Sequence, residues 1–210
     1  MTETRPDLCH IVTRLSQYMS KPTVATPNAA KHVLRYLKGT SSFSLKFKRV
    51  DHPLELIGFS NSDWGGSVSD RKSISGYGFQ LCKTGPLVSW KSKKQQTVAL
   101  STCEAEYTAL AETVQEGKFL KQLCVDLGII AVSKSILVNA DNQGAIKLAK
   151  NPAFHKRSKH IDVKYHFIRS EVQQGTVSIR YVASEDNLAD IFTKPVSRVR
   201  LDKFKPFICN

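Results

Sequence analysis

The sequence predicts an α/β protein in which a mixed sheet is flanked by helices, and three patterns carry that expectation. From about residue 54 the runs LELIGFS, SISGYGFQLC and LVSWKSKKQQTVA are rich in β-branched and aromatic residues and are separated by Gly-, Ser- and Pro-containing turns. At Ser101 the apolar spacing changes to a helical period through STCEAEYTALAETVQEGKFLKQLCVDLG. Beyond that helix, strand-like and helix-like segments alternate to the end.

The first 50 residues have a different character. LCHIVTRLSQYMS places Leu8, Ile11, Val12 and Leu15 at helical spacing, and AAKHVLRYLKGT does the same with Val33, Leu34 and Leu37. PTVATP separates the two runs and Gly39 ends the second, so a two-helix unit is expected, too small to bury a core alone. The three strands that follow read as an antiparallel meander. In the long helix Tyr107, Leu110 and Val114, then Leu120, Leu123 and Leu127, fall on one side, with Ser101 and Glu104 forming a capping-box pattern at its start. SILVNA then reads as a strand, DNQGAIKLAK and HIDVKYHFIRSEVQQG as helices, TVSIRYVA as a strand and DNLADIFTK as a final helix.

Charge narrows the function classes. The chain has 31 Lys plus Arg against 18 Asp plus Glu, a formal net charge of +13, which favours a polyanionic partner and above all nucleic acid. A hydrophobic fraction of 41% is enough to build a core and excludes disorder throughout. The five cysteines are widely spaced without a CxxC pair, as reduced core residues would be. No apolar run approaches the roughly 18 residues of a membrane span, and the opening MTETRPDLCH lacks signal-peptide order. An intracellular chain, cytoplasmic or nuclear and away from membranes, is expected.

Four acids occupy similar local contexts. Asp63 follows the first strand, Glu106 lies one turn into the long helix, Asp141 ends the fourth strand and Asp190 sits near the start of DNLADIFTK. Acids at strand ends and helix starts can converge at one edge of a sheet on rigid backbone. Such a set suits phosphodiester hydrolysis by two Mg²⁺ ions about 3.5–4 Å apart, one activating water and one stabilising the leaving oxygen. Taken singly, Asp141 is equally readable as a helix cap and Glu106 as a solvated helix residue.

The segments DWGGSVSDRKSISGYGF, VSWKSKKQQTVALSTCEAEY, DNQGAIKLAKNPAFHKRSKHID and LADIFTK closely resemble the ribonuclease H region of copia-type retrotransposon Pol polyproteins. Upstream, TRPDLCHIVTRLSQYMSKPT and AAKHVLRYLKGT resemble the end of the reverse transcriptase that precedes it. The resemblance implies three parts: residues 1–50 as a helical C-terminal remnant of the reverse transcriptase, 54–195 as a ribonuclease H-like domain, and 196–210 as a basic C-terminal tail. It implies the ribonuclease H-like fold, with a five-stranded mixed sheet, and cleavage of the RNA strand of an RNA–DNA hybrid with two Mg²⁺ ions, or Mn²⁺. The family's metal-binding acids carry over to Glu106 in AEYTAL, Asp141 in NADNQ and Asp190 in LADIF.

The first of the four family ligands falls on Asn61. Asn61 offers only a neutral carbonyl oxygen, and two Mg²⁺ would be less well neutralised. Asp63 is the alternative, since residues i and i+2 of a strand face the same side, but the two stand about 6.6 Å apart. That offset exceeds the roughly 0.5 Å within which a catalytic constellation must be held. Impaired or absent hydrolysis is therefore expected, and a non-catalytic nucleic-acid-binding remnant is the alternative. A related integrase or transposase acting on duplex DNA fits the long motifs less well.

For substrate, WKSKKQQT offers Lys91, Lys93 and Lys94, and KLAKNPAFHKRSKHIDVKYHFIR offers Lys147, Lys150, Lys156, Arg157, Lys159, Lys164 and Arg169 for phosphate contacts. Asn142 and Gln143, beside Asp141, are candidates for reading the 2′-hydroxyl. His155, His160 and His166 do not stack on one helical face, so packing or phosphate contact suits them better than metal binding. The first 50 residues hold no paired-aspartate motif, so polymerase activity is not expected, and a missing reverse transcriptase portion is a candidate partner. The Met start within the reverse transcriptase remnant is what a truncated reading frame would leave, and a fragment of a longer polyprotein would look the same.

Overall fold

The strands β1 (Ile57–Ser62), β2 (Ile74–Gln80), β3 (Leu87–Lys94), β4 (Ile136–Ala140) and β5 (Val177–Tyr181) form one sheet, ordered β3-β2-β1-β4-β5. The structure is a computed structural model and describes residues 4–151 and 159–209, with backbone alone for 159–162. β1, β2 and β3 pair antiparallel as the expected meander, while β4 lies parallel to both β1 and β5. The sheet is thus mixed, as the order of segments implied.

The remaining elements are α1 (Cys9–Ser16), α2 (Ala25–Gly39), α3 (Thr102–Asp126), α4 (Gln143–Lys150), α5 (Lys159–Gln173) and α6 (Arg198–Ile208). Ser101 caps α3 by accepting a hydrogen bond from the Glu104 backbone N–H, and the Glu104 carboxylate accepts from the N–H of Leu100. The capping pattern read from the sequence is therefore a working cap, with Glu104 reaching one residue further back than the usual box. Tyr107, Leu110 and Val114 of α3 pack on Phe79, Ile136 and Val138 of the sheet, with Ile146 of α4 and Ile168 of α5 completing that layer. Leu123 and Leu127, expected on the same side, are exposed near the end of the helix.

The opposite face of the sheet is covered by both ends of the chain. Cys9 joins Leu87, Leu188, Phe192, Phe204, Ile208 and Cys209 in a second apolar cluster. Thr13 of α1 donates to the Ser92 carbonyl of β3 at 3.1 Å. Arg5 grips Asp7 through two hydrogen bonds of 2.9 and 2.7 Å and reaches Thr40, at its carbonyl and its hydroxyl, tying the segment before α1 to the end of α2. The two-helix unit is thus seated on the sheet, which supplies the apolar contact it could not make for itself.

Two expectations are corrected here. DNLADIFTK does not form a regular helix: a five-residue 3-10 turn, Leu188–Phe192, occupies it. Asn187 accepts from the Ala189 N–H at its start, and the N–H groups of Thr193 and Lys194 both return to the Asp190 carbonyl. Pro195 then has no N–H with which to continue. Residues 196–210 are not simply a basic tail, because 198–208 form α6, with Ser197 as N-cap and Phe204 and Ile208 buried. Arg200, Phe204 and Ile208 follow one another at i, i+4 spacing, so the charge-rich sequence still presents one inward stripe. Phe204→Ala should lower stability by about 3–5 kcal/mol, the usual cost of emptying a buried Phe site, measured by urea unfolding.

Candidate active site

β1 carries Asn61 near its C-terminal end, paired in register with Gly76 of β2. A Cβ at position 76 would lie 2.7 Å from Phe192 Cβ and 2.8 Å from Thr193 Cγ2. The absence of a side chain there lets the 3-10 turn press directly onto the sheet. That close approach delivers Asp190 to Asn61. The parallel register Phe59↔Asn139 places Asp141, two residues further on, at the same level of the neighbouring strand. Glu106 reaches the site from the first turns of α3 and accepts a hydrogen bond from the Ser62 backbone N–H.

Glu106, Asp141 and Asp190 therefore come within electrostatic reach of one another. Glu106, 9% exposed, is pushed up from 4.5 to about 9, first by burial and then by Asp141, with Asp190 adding to the rise. Asp190 is 0% exposed, and burial raises its pKa against the opposing pull of Lys194 and Arg200. Asp141 is partly open to solvent and accepts a 2.6 Å hydrogen bond from the Ser184 hydroxyl.

Asn61, 2% exposed, turns its amide N–H₂ toward the acids: Nδ2 donates to Asp190 Oδ1 and, at 2.9 Å, to Thr193 Oγ1. Thr193 in turn donates to the Asp190 carbonyl at 3.1 Å. The other oxygen of Asp190, Oδ2, lies 2.6 Å from Arg200 Nη1 and 3.0 Å from Lys194 Nζ. Among the described residues no three His, Cys, Asp or Glu side chains are grouped to hold a metal ion. The donors as arranged do not fit a pair of divalent cations, because both oxygens of Asp190 face nitrogen donors and Asn61 presents a donor where a ligand oxygen would be needed.

Asp63 is held elsewhere. Its carboxylate accepts from the Ile74 N–H, its own N–H donates to the Ile74 carbonyl at 3.1 Å, and Oδ2 fills the space beside Gly66 that a Cβ would take. Burial raises its pKa while the Ile74 hydrogen bond opposes the rise. The side chain closes the connection between β1 and β2. Its carboxylate is not among the charges that shift Glu106.

The basic candidates divide. Lys91 is exposed on β3, Lys93 lies 3.4 Å from Glu112, and Lys94 lies 2.9 Å from Asp70. Lys93 and Lys164 line a cleft of 570 Å³ together with Gln96, Thr97 and Phe167. Asn142 is the N-cap of α4, accepting from the Ala145 N–H at 2.9 Å, and Gln143 is exposed next to it. Lys147, Lys150 and His166 are exposed, and Arg169 donates to the Leu148 carbonyl at 3.3 Å. Lys156, Arg157 and His155 lie outside the described residues, as do the side chains of Lys159 and His160.

Three residues of the site were not singled out from the sequence. Thr193 and Lys194 sit inside the LADIFTK segment, where position beside Asp190 was the available signal. Arg200 carried no signal at all. A fourth, Gln95, donates to Ser75 Oγ and the Ala105 carbonyl, both at 3.0 Å, and so fixes the loop that leads into α3.

Solved structures place this arrangement among known folds. A ribonuclease H1 isolated from compost superposes with a TM-score of 0.50 at 15% identity, covering 71% of this chain and 96% of that one. A foamy viral protease-reverse transcriptase in complex with an RNA/DNA hybrid superposes with a TM-score of 0.50 at 15% identity, covering 84% of this chain and 21% of that one. The fold of the chain is thus ribonuclease H-like. No family model matches the sequence, but individual relatives do. The Pol polyprotein from transposon RE2 of Arabidopsis thaliana is 44% identical over 96% of this chain, and that from transposon TNT 1-94 of Nicotiana tabacum is 40% identical over 99%. Over nearly its full length the chain is thus similar to Pol polyproteins of copia-type transposons, and it spans 14 and 15% of the length of those two relatives.

The raised Glu106 has a consequence for stability. Between 4.5 and about 9 the folded chain keeps a proton that the unfolded chain has released, so stability falls as pH rises through that window. Glu106→Gln, which removes the titration and retains the shape, should flatten that fall, measured as urea midpoints between about pH 5 and pH 8.

Proposed function

We propose that this chain is a retrotransposon-derived ribonuclease H domain that binds RNA–DNA hybrids and whose hydrolysis of the RNA strand is impaired at Asn61. The observation that carries the reading is the Asn61 amide donating to Asp190 at the position where the family's first acid belongs. Ribonuclease H chemistry of this kind draws on two divalent ions, Mg²⁺ or Mn²⁺, and on oxygen ligands that Glu106, Asp141 and Asp190 would share. With one anion replaced by a hydrogen-bond donor, such ions would be held weakly. Asp63 offers little rescue while its carboxylate serves the Ile74 N–H.

Binding rests on a different part of the molecule. The net charge of +13, exposed Lys91, and the cleft between Lys93 and Lys164 supply counter-charge for phosphates. A second reading, a nucleic-acid-binding remnant with no hydrolysis, is favoured by the cations already seated on Asp190. A reverse transcriptase portion supplied in trans is the candidate protein partner, with Val24 and Leu34 exposed on and beside α2. Among the described residues no helix is long and apolar enough to cross a membrane.

Fluorescence polarisation with a labelled hybrid and with duplex DNA of the same sequence tests the binding half. Hybrid should bind more tightly, and Lys91→Ala should weaken binding and lower the slope of log affinity on log salt by about 1. Equal binding of both duplexes overturns hybrid preference. In a cleavage assay with Mg²⁺, wild type should cut hybrid no faster than Glu106→Gln. Cutting above that baseline overturns the reading without hydrolysis, and it overturns the impairment as well if Asn61→Asp/Arg200→Gln cuts no faster than wild type.

A further inference from the structure

We propose that Lys194 and Arg200 are built-in counter-charges that occupy the electrostatic role of divalent metal at this site, so that it is closed to metal by α6 as well as by Asn61. The inference rests on reading Glu106, Asp141 and Asp190 as the inherited ligand set. It adds that restoring the missing acid is not sufficient to restore a metal site.

The geometry begins with Asp190. A carboxylate with no exposed surface is tolerated only when it is compensated at close range. Here Oδ2 has Arg200 Nη1 at 2.6 Å and Lys194 Nζ at 3.0 Å, and Oδ1 accepts from Asn61. Lys194 acts beyond that pair, because its charge also opposes the rise of the Glu106 and Asp63 carboxyls. Its side chain remains 45% exposed, so it fills the mouth of the site from the solvent side.

Arg200 is the more telling residue. It lies in the first turn of α6, where a positive charge opposes the helix dipole. Its Nε and Nη2 are buried with no hydrogen-bond partner among the described residues, which is costly for a cation. Phe204 and Ile208, one and two turns further along the same face, are locked into the apolar cluster and fix where Arg200 points. A guanidinium placed against the dipole and left short of acceptors is stabilised in that position by Asp190. Two fixed positive charges then stand against three acids, and a divalent ion approaching Asp190 must displace one of them.

Mn²⁺ titration calorimetry on the whole chain, without nucleic acid, tests this on wild type, Asn61→Asp, Arg200→Gln and the double variant Asn61→Asp/Arg200→Gln. Arg200→Gln keeps much of the side-chain bulk, and circular dichroism with thermal melting checks that each variant is folded. The double variant should bind Mn²⁺ at least about tenfold more tightly than Asn61→Asp, while wild type and Arg200→Gln show no comparable site. If Asn61→Asp binds as tightly as the double variant, Arg200 is not a barrier and the inference fails, while the ligand-set reading stands. If folded double variant binds no Mn²⁺, the ligand-set reading fails and the inference with it. Should the double variant unfold, Asn61→Asp/Arg200→Met, which removes the charge and keeps the aliphatic stem, takes its place with the same expected and overturning results.

Discussion

A carboxylate without any contact with water has to be answered by its neighbours, and Asp190 is such a group. The segments around it are arranged to answer it. β1 brings an amide donor, the residues after the 3-10 turn bring a hydroxyl and an ammonium, and α6 brings a guanidinium. Each of these comes from a different part of the chain, so the folded site is a point where the sheet, the turn and the last helix constrain one another. Gly76 is the steric condition for this: with a side chain in that place the turn could not approach the sheet closely enough for Asn61 to reach Asp190.

The same arrangement separates ancestry from chemistry. The sheet order and the similarity to Pol polyproteins describe the scaffold. The local charge balance is set by the groups that surround Asp190. Glu106, held protonated near neutrality by burial and by its acidic neighbours, behaves as a neutral hydrogen-bonding group at the edge of the sheet. A scaffold can therefore be retained while its centre is re-neutralised by groups within the chain, because burial energetics ask only that charge be compensated and are indifferent to whether a metal or a side chain does it.

Much of the fold was legible in the sequence because its signals are periodic. The β-branched and aromatic runs around Phe59, Phe79 and Trp90 and the helical spacing of Tyr107, Leu110 and Val114 reflect two layers packed on a sheet. The approach of residues 106, 141 and 190 to one another was legible because each stands at the end or start of an element. LADIF misled, since the seven residues between a capping Asn187 and Pro195 look helical in composition but leave no room for a regular helix. Arg200 was illegible for a deeper reason: in RVRLDKFKPFI one of two arginines among other charges reads as surface, and its partner is set by tertiary packing. Asp63 was read as facing the same side as Asn61, yet it stands one residue beyond β1, and the hydrogen bond that engages it comes from Ile74, across a turn whose closure no periodicity encodes.

The apolar layer that joins Cys9 to Phe204, Ile208 and Cys209 has a consequence for synthesis. A chain emerging from the ribosome can assemble the α3 face of the sheet from segments that lie near one another in order of appearance. The opposite face cannot close until its final residues have left the exit tunnel, because α1 waits for α6. Contacts of such long sequence separation are late and slow to form. During that interval the apolar face of the sheet stays uncovered, and the nascent chain carries an adhesive surface that a chaperone, or a neighbouring chain on the same message, can reach first.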